Sequence, residues 1–154
     1  MATFRLQSLL NYRHQLEEQE MLRLATVEAE RREAQELLDE LCRRREEQCG
    51  VLDRLAKAQP LDAYRMRGAV EYLGLVEEAI TRQVSARAEV DARVAAQREL
   101  LVTAARDRQA LERLRERQAV ETRREVERVE ARRADEIAMA RYGRFGIEGV
   151  GEGI

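Results

Sequence analysis

Two cysteines, a single histidine and a dense run of arginine and glutamate are the residues of this chain whose types suit them to chemistry. Cys42 and Cys49 stand seven residues apart, which is about 10 Å along a helix and too far for a disulfide between them. A metal site needs more ligands than this pair, and His14 lies far away in the sequence. We therefore expect two reduced cysteines on an apolar helix face, with no metal bound.

The sequence lacks the patterns that catalytic sites share. It has no glycine-rich phosphate loop, no nucleophile with a base beside it, and no second histidine. Its many carboxylates fall where exposed helix faces are expected, and two paired helices offer no concave pocket for a substrate. We predict that the protein is not an enzyme and binds no cofactor.

The arginine-rich stretch LERLRERQAVETRREVERVEARRADE, residues 111–136, is balanced in charge. Between Glu112 and Glu136 it holds eight arginines and eight acids, and the whole chain carries a net charge of −2. A nucleic-acid surface needs uncompensated positive charge, because affinity comes largely from counterion release. No aromatic side chain is present to stack bases. The stretch therefore predicts a helix for a protein partner, with Glu–Arg pairs three residues apart supporting it, and no nucleic-acid binding.

The composition and the apolar spacing indicate that long helices position these residues. Of the 154 residues 38% are charged and 4% aromatic, with one proline and no tryptophan, which is typical of coiled coils. Apolar residues recur three and four apart in both halves, and glutamine and arginine interrupt them. The apolar positions are Leu24, Val27, Ala34, Leu38, Leu41, Leu52 and Leu55, then Met66, Ala69, Leu73, Val76, Ile80, Val90, Val94, Leu101, Ala104 and Leu111. Together with the polar residues that interrupt them, these positions form one face of each helix, here called the seam. Its polar positions are Arg31, Arg45, Gln48, Gln83, Arg87, Gln97 and Arg108.

A single proline marks where the chain turns back. Pro60 disfavours a continuous helix, and Asp62 can cap the helix that follows. The sequence predicts an all-α, antiparallel coiled-coil hairpin: one domain over residues 1–140, with a helix over about 4–57, a turn over 58–61 and a longer helix over 62–140. Residues 115–140 then have no partner within the chain. The glycines after Arg141 predict a flexible tail over 141–154, and Gly68 and Gly74 leave open whether the second helix is broken.

Three stretches together give the chain a resemblance to a known family. They are FRLQSLLNYRHQLEEQE at the start, EYLGLVEEAITRQ after the turn, and ALERLRERQAVETRREVERVEARRADEIA near the end. The chain thus resembles the FliJ family of flagellar type III export proteins over residues 4–140. The resemblance implies a cytoplasmic stalk, peripheral to the inner face of the membrane. Its partners would be the hexameric export ATPase, the cytoplasmic domain of the membrane export gate, and export chaperones.

The resemblance indicates where two contacts would lie, and the charges and positions of the residues there suggest two sets of site residues. The end that carries both termini would dock with the ATPase through Arg5, Arg13, Leu114, Arg115, Arg117, Arg123 and Arg124. The gate contact would involve Tyr72, Val76, Ala79 and Gln83 of the second helix with Cys42, Arg45 and Cys49 of the first. Val76 is also a seam position, so packing is an equal alternative for it, whereas Tyr72 lies off the seam.

Two other functions fit the same pattern. One is the equivalent stalk of a virulence-type secretion system, and the other is a coiled-coil scaffold that associates with itself. A stalk is expected to be monomeric on its own, which separates it from the scaffold. No membrane insertion is expected, because the longest apolar patch, Leu100–Ala105, is far below spanning length.

Overall fold

Two helices make up nearly all of the described chain. The computed structural model describes residues 4–148, and their side chains as far as residue 145. Helix α1 spans Gln7–Lys57 and helix α2 spans Ala63–Glu148. The all-α class with two long helices, the second longer, is confirmed. The single domain over residues 1–140 stays a prediction. By its internal contacts the chain divides into two compact units. One unit is His14–Arg106; the other, here called the terminal unit, contains the residues up to Arg13 and those from Asp107 onward.

The reversal between the helices uses the cap that the sequence predicts. The Asp62 Oδ1 atom accepts a hydrogen bond from the Arg65 backbone N–H at 3.1 Å. The Asp62 carbonyl accepts from the Met66 N–H at 3.0 Å, which is the first bond of α2. Asp62 therefore occupies the N-cap position, where its carboxylate satisfies one of the otherwise unbonded donors of the first turn.

In the 14–106 unit, α1 and α2 run antiparallel with a thin apolar seam. Ala69, Val76 and Val94 are its buried hydrophobic residues. Interhelical hydrogen bonds join Gln97 to Glu20, Gln83 to Ala34, and Gln48 to Ala69. Each pair lies one residue from the predicted register, in which Leu24 is opposite Val94 and Leu38 opposite Ile80. The heptad pattern and the turn together therefore define the alignment of these helices.

The terminal unit contains the start of α1 and the second part of α2. Leu10 is fully buried, and the Arg13 Nη1 atom donates to Asp107 Oδ2 at 3.0 Å. Farther along α2, every side chain from Arg113 to Phe145 is exposed except Gln118 and Val129, which are half-buried. We call residues 113–145 the exposed segment of α2. Its exposure agrees with the expectation that α2 outlasts its partner helix.

The end of α2 differs from the expected boundary at residue 140. The helix continues to Glu148, so residues 141–148 are helical where the sequence predicted the start of a tail. Only Gly143 and Gly146 fall in that stretch, and a glycine costs a helix about 1 kcal/mol relative to alanine. Their neighbours Arg141, Tyr142 and Arg144 all tolerate helix. The remainder of the predicted tail, residues 149–154, lies outside the described residues.

Gly68 and Gly74 do not interrupt α2, and both can be replaced without a clash. A Cβ atom at either position would meet nothing within 4 Å. Gly68→Ala and Gly74→Ala should each raise the free energy of unfolding by about 1 kcal/mol, because alanine loses less backbone entropy on folding. Urea titration followed by far-ultraviolet circular dichroism measures this. Ala95→Gly, at an exposed position of the same helix, is the matched control and should lower it by a similar amount. A lower stability in both alanine variants would contradict the prediction.

Candidate protein-docking site

The exposed segment of α2 differs from the rest of the molecule in how its arginines are paired. In the 14–106 unit, eight arginines form ion pairs with carboxylates: Arg23, Arg31, Arg43, Arg44, Arg65, Arg87, Arg93 and Arg98. Between Arg113 and Arg133, where all side chains are described, Arg128 is the one arginine with an ion pair, to Glu125 at 3.5 Å. The other guanidinium groups there are available to carboxylates of another molecule.

This finding corrects part of the predicted ion pairing along the segment. Of the four Glu–Arg pairs expected three residues apart, Glu125–Arg128 forms. Glu112 instead pairs with Arg108, four residues before it, at 2.5 Å. Glu121–Arg124 and Glu130–Arg133 do not form among the described residues. An exposed pair gains only a few tenths of a kcal/mol, which barely offsets the entropy of fixing two long side chains.

The arginines predicted to dock do not form one patch, because α2 divides them between two faces. Arg115 and Arg123 border a shallow groove that is otherwise lined by Phe4, Gln118, Ala119, Thr122 and Val126. Among the described residues, no acidic side chain lines this groove. Arg117 and Arg124 lie on the other side of the helix, as the 100° rotation per residue requires. There they share a surface with Arg113, Glu116, Val120 and Glu121.

Three further members of the predicted docking set have different surroundings. Arg13 is half-buried, and its guanidinium is engaged by Asp107, so it joins α1 to α2 within the terminal unit. Arg5 is exposed just before α1 begins, and Leu114 is exposed on α2. The sequence reasoning did not assign Phe4 to the site. The register of the predicted hairpin was the available signal, since it places residue 4 opposite residue 114.

The second set, suggested for the gate contact, is divided between seam and surface. Val76 is 5% exposed, and the Gln83 Nε2 atom donates to the Ala34 carbonyl at 3.0 Å. Both side chains therefore face α1. Tyr72 is 44% exposed and Ala79 is half-buried, so these two contribute surface.

On α1, the suggested contact residues are half-buried or exposed. Cys42 and Arg45 are half-buried and Cys49 is exposed, with both cysteines present as free thiols.

On α2, Leu75 is 62% exposed and was missed by the sequence reasoning. It follows Tyr72 by three residues and precedes Ala79 by four, so these three side chains share one face of α2. Its signal was an apolar residue at a position off the seam.

Comparison with known proteins identifies the family. A family model described as "Flagellar FliJ protein" matches residues 1–146 of the chain. The chain belongs to the FliJ family. The resemblance carried by the three sequence stretches is thereby confirmed. FliJ membership makes this chain a stalk protein of flagellar export, and the family is one of structural export components, not an enzyme family. Searches among curated proteins and among solved structures found no match.

Two general properties complete the description of the FliJ chain. None of the helices among residues 4–148 combines the length and the apolar character that crossing a bilayer requires. Its exposed surfaces are helix faces of mixed charge with apolar side chains among them, and Tyr72 and Leu75 are two of these exposed apolar residues. Such surfaces can bind proteins through charge-assisted hydrogen bonds and through burial of isolated apolar side chains.

Proposed function

We propose that this FliJ protein docks with the hexameric export ATPase through the exposed segment of α2. The proposal rests on the arginines of this segment that form no ion pair with a carboxylate of the described chain. While it is bound to the ATPase, the protein links the ATPase to the cytoplasmic domain of the export gate and to export chaperones. It does so in the cytoplasm, at the inner face of the membrane.

The chemistry of the segment suits a ring-shaped partner. A six-fold ring presents the same loops around its opening, so a helix within it must meet them on every side. The exposed segment carries arginine on two faces, with Arg115 and Arg123 on one and Arg117 and Arg124 on the other. Guanidinium groups form bidentate hydrogen bonds with carboxylates, and the interleaved glutamates keep any one contact from dominating. These features support contact with several ATPase subunits.

The gate contact is proposed for the apolar face of α2 in the 14–106 unit. Tyr72 and Leu75 are exposed there, and aromatic and aliphatic side chains of this kind are the usual anchors of protein interfaces. Ala79 extends the face. Cys42, Arg45 and Cys49 of α1 are proposed as the border of this contact, whereas Val76 and Gln83 support it by packing within the seam.

One binding experiment with two variants tests both contacts. The triple variant Arg115→Glu, Arg117→Glu, Arg124→Glu should weaken ATPase binding at least tenfold, because each charge-assisted bond contributes about 1.5–3 kcal/mol. Gate binding should be unchanged. Tyr72→Ala with Leu75→Ala should weaken binding of the gate domain about tenfold and leave ATPase binding intact. Isothermal titration with the purified partners measures both affinities, and each variant serves as the control for the other. Unchanged ATPase affinity in the arginine variant would contradict the docking proposal.

A scaffold that associates with itself is less well supported. At heptad spacing the seam continues along the exposed segment through Arg115, Gln118, Thr122, Glu125, Val129 and Arg132. Three of these six positions are charged, and a charged side chain within a seam disfavours pairing with a second copy. The flagellar description of the matching family likewise supports a flagellar stalk over the virulence-type equivalent.

A further inference from the structure

Three glutamines form cross-links between the helices of the 14–106 unit. The Gln48 Nε2 atom donates to the Ala69 carbonyl at 3.0 Å. Gln83 Nε2 donates to the Ala34 carbonyl at 3.0 Å. Gln97 Nε2 donates to the Glu20 carbonyl at 3.3 Å, and it also bonds the carboxylate of Glu20. In each case the acceptor is a backbone carbonyl of the opposite helix.

The three cross-links repeat with one period on both helices. On α1 the bonded residues are Glu20, Ala34 and Gln48, each 14 residues after the last. On α2 they are Ala69, Gln83 and Gln97, again 14 residues apart. Fourteen residues are two heptads, so the glutamines recur in every second heptad of the coiled-coil repeat. The register positions midway between them are apolar: Val27 opposite Val90, and Leu41 opposite Val76.

A sliding of one heptad would break this match. Such a slip keeps the same helix faces together, but it would bring Gln83 opposite Val27 or Leu41, depending on its direction. The Gln83 amide would then meet the branched apolar side chain of Val27 or Leu41 in place of the small Ala34. The glutamine amide would then lie in the seam without an acceptor, which is destabilising.

We propose that Gln48, Gln83 and Gln97 act as a register lock that selects one alignment of α1 and α2 against those displaced by a heptad. A purely apolar repeat would be nearly indifferent to such a slip, because every heptad would look alike. The lock lowers the stability of the seam, since leucine would bury more apolar surface at each position, but it makes the alignment unique. The spatial relation of every surface on α1 to its neighbour on α2 depends on that alignment.

Electron paramagnetic resonance distance measurement tests the lock directly. Cys42→Ala and Cys49→Ala remove the native thiols, and Glu33→Cys with Glu99→Cys provide one exposed labelling site on each helix. An excess of unlabelled protein restricts the measurement to distances within one chain. The parent should give a single distance population. The triple variant Gln48→Leu, Gln83→Leu, Gln97→Leu should melt at a higher temperature and show a second population, because a one-heptad slip moves the labels by about 10 Å along the helix axis.

Two further variants separate the amide bonds from the added apolar volume. The triple alanine variant at the same positions removes the amides without adding bulk, and it should also show the second population. Gln15→Leu with Gln19→Leu changes exposed glutamines of α1 and should keep the single population. A single unshifted population in either triple variant, or a second population in the Gln15/Gln19 control, overturns the proposal.

Discussion

Ending the chain after Gln118 is expected to weaken binding to the hexameric ATPase strongly, and to reduce the stimulation of ATP hydrolysis with it. The truncation removes Arg123 and Arg124, together with most of the groove that Ala119, Thr122 and Val126 line. Because several charge-assisted hydrogen bonds to the ATPase disappear together, the affinity should fall by about 100-fold or more. The seam should keep its stability, because the described side chains that are removed are exposed apart from half-buried Val129. ATPase assays with the full and shortened chains measure the first effect, and thermal unfolding measures the second.

A milder truncation provides the control. A chain ended after Arg141 keeps both arginine faces and the groove, so it should bind and stimulate the ATPase as the full chain does. Full stimulation by the chain ended after Gln118 would contradict docking through the exposed segment. Sedimentation of the full chain across concentration addresses the scaffold alternative, for which a concentration-dependent dimer that the truncation dissolves is the expected outcome.

The sequence predicted the pairing of the helices well, because that pairing depends on features that repeat locally. The heptad spacing defines the seam, Pro60 and Asp62 define the turn, and together they place Leu24 opposite Val94 to within one residue. The Asp62 cap follows from a single carboxylate at the correct position relative to the turn. Such signals need no knowledge of distant contacts, since a short connection makes consecutive helices antiparallel neighbours.

Choices among nearly equal alternatives could not be predicted in the same way. Glu112 has an arginine within reach on either side, Arg108 and Arg115, and it pairs with Arg108. The two options differ by only tenths of a kcal/mol before tertiary context is included.

The last residue of α2 and the hydrogen-bond acceptors of the seam glutamines could not be predicted from the sequence either. The glycine-bearing stretch near the end of α2 was close to the balance between helix and coil, and the structure continues the helix to Glu148. The glutamines were predicted as polar seam members. Their carbonyl acceptors become apparent only when the opposite backbone is in place, as for Gln83 and Ala34.

Val94→Asp should remove most of the stability of the 14–106 unit. The Val94 side chain is 2% exposed, so a carboxylate there would be taken out of water with no partner designed to receive it. The carboxylates of Glu20, Glu28 and Glu30, which bond Gln97, Arg98 and Arg93 of α2, lie nearby and would repel the new charge. An uncompensated buried charge costs about 3–5 kcal/mol. Urea denaturation followed by circular dichroism measures the loss.

The size of this effect follows from how little apolar surface the seam buries. Ala69, Val76 and Val94 are the buried hydrophobic residues among the described part of the unit, so no neighbouring layer can compensate when one of them is replaced. Leu100→Asp is the matched control, because Leu100 is 54% exposed on the same helix. It should change the free energy of unfolding by no more than about 0.5 kcal/mol. Equal losses of stability in the two variants would mean that helix propensity and surface charge, rather than the seam, hold α1 against α2.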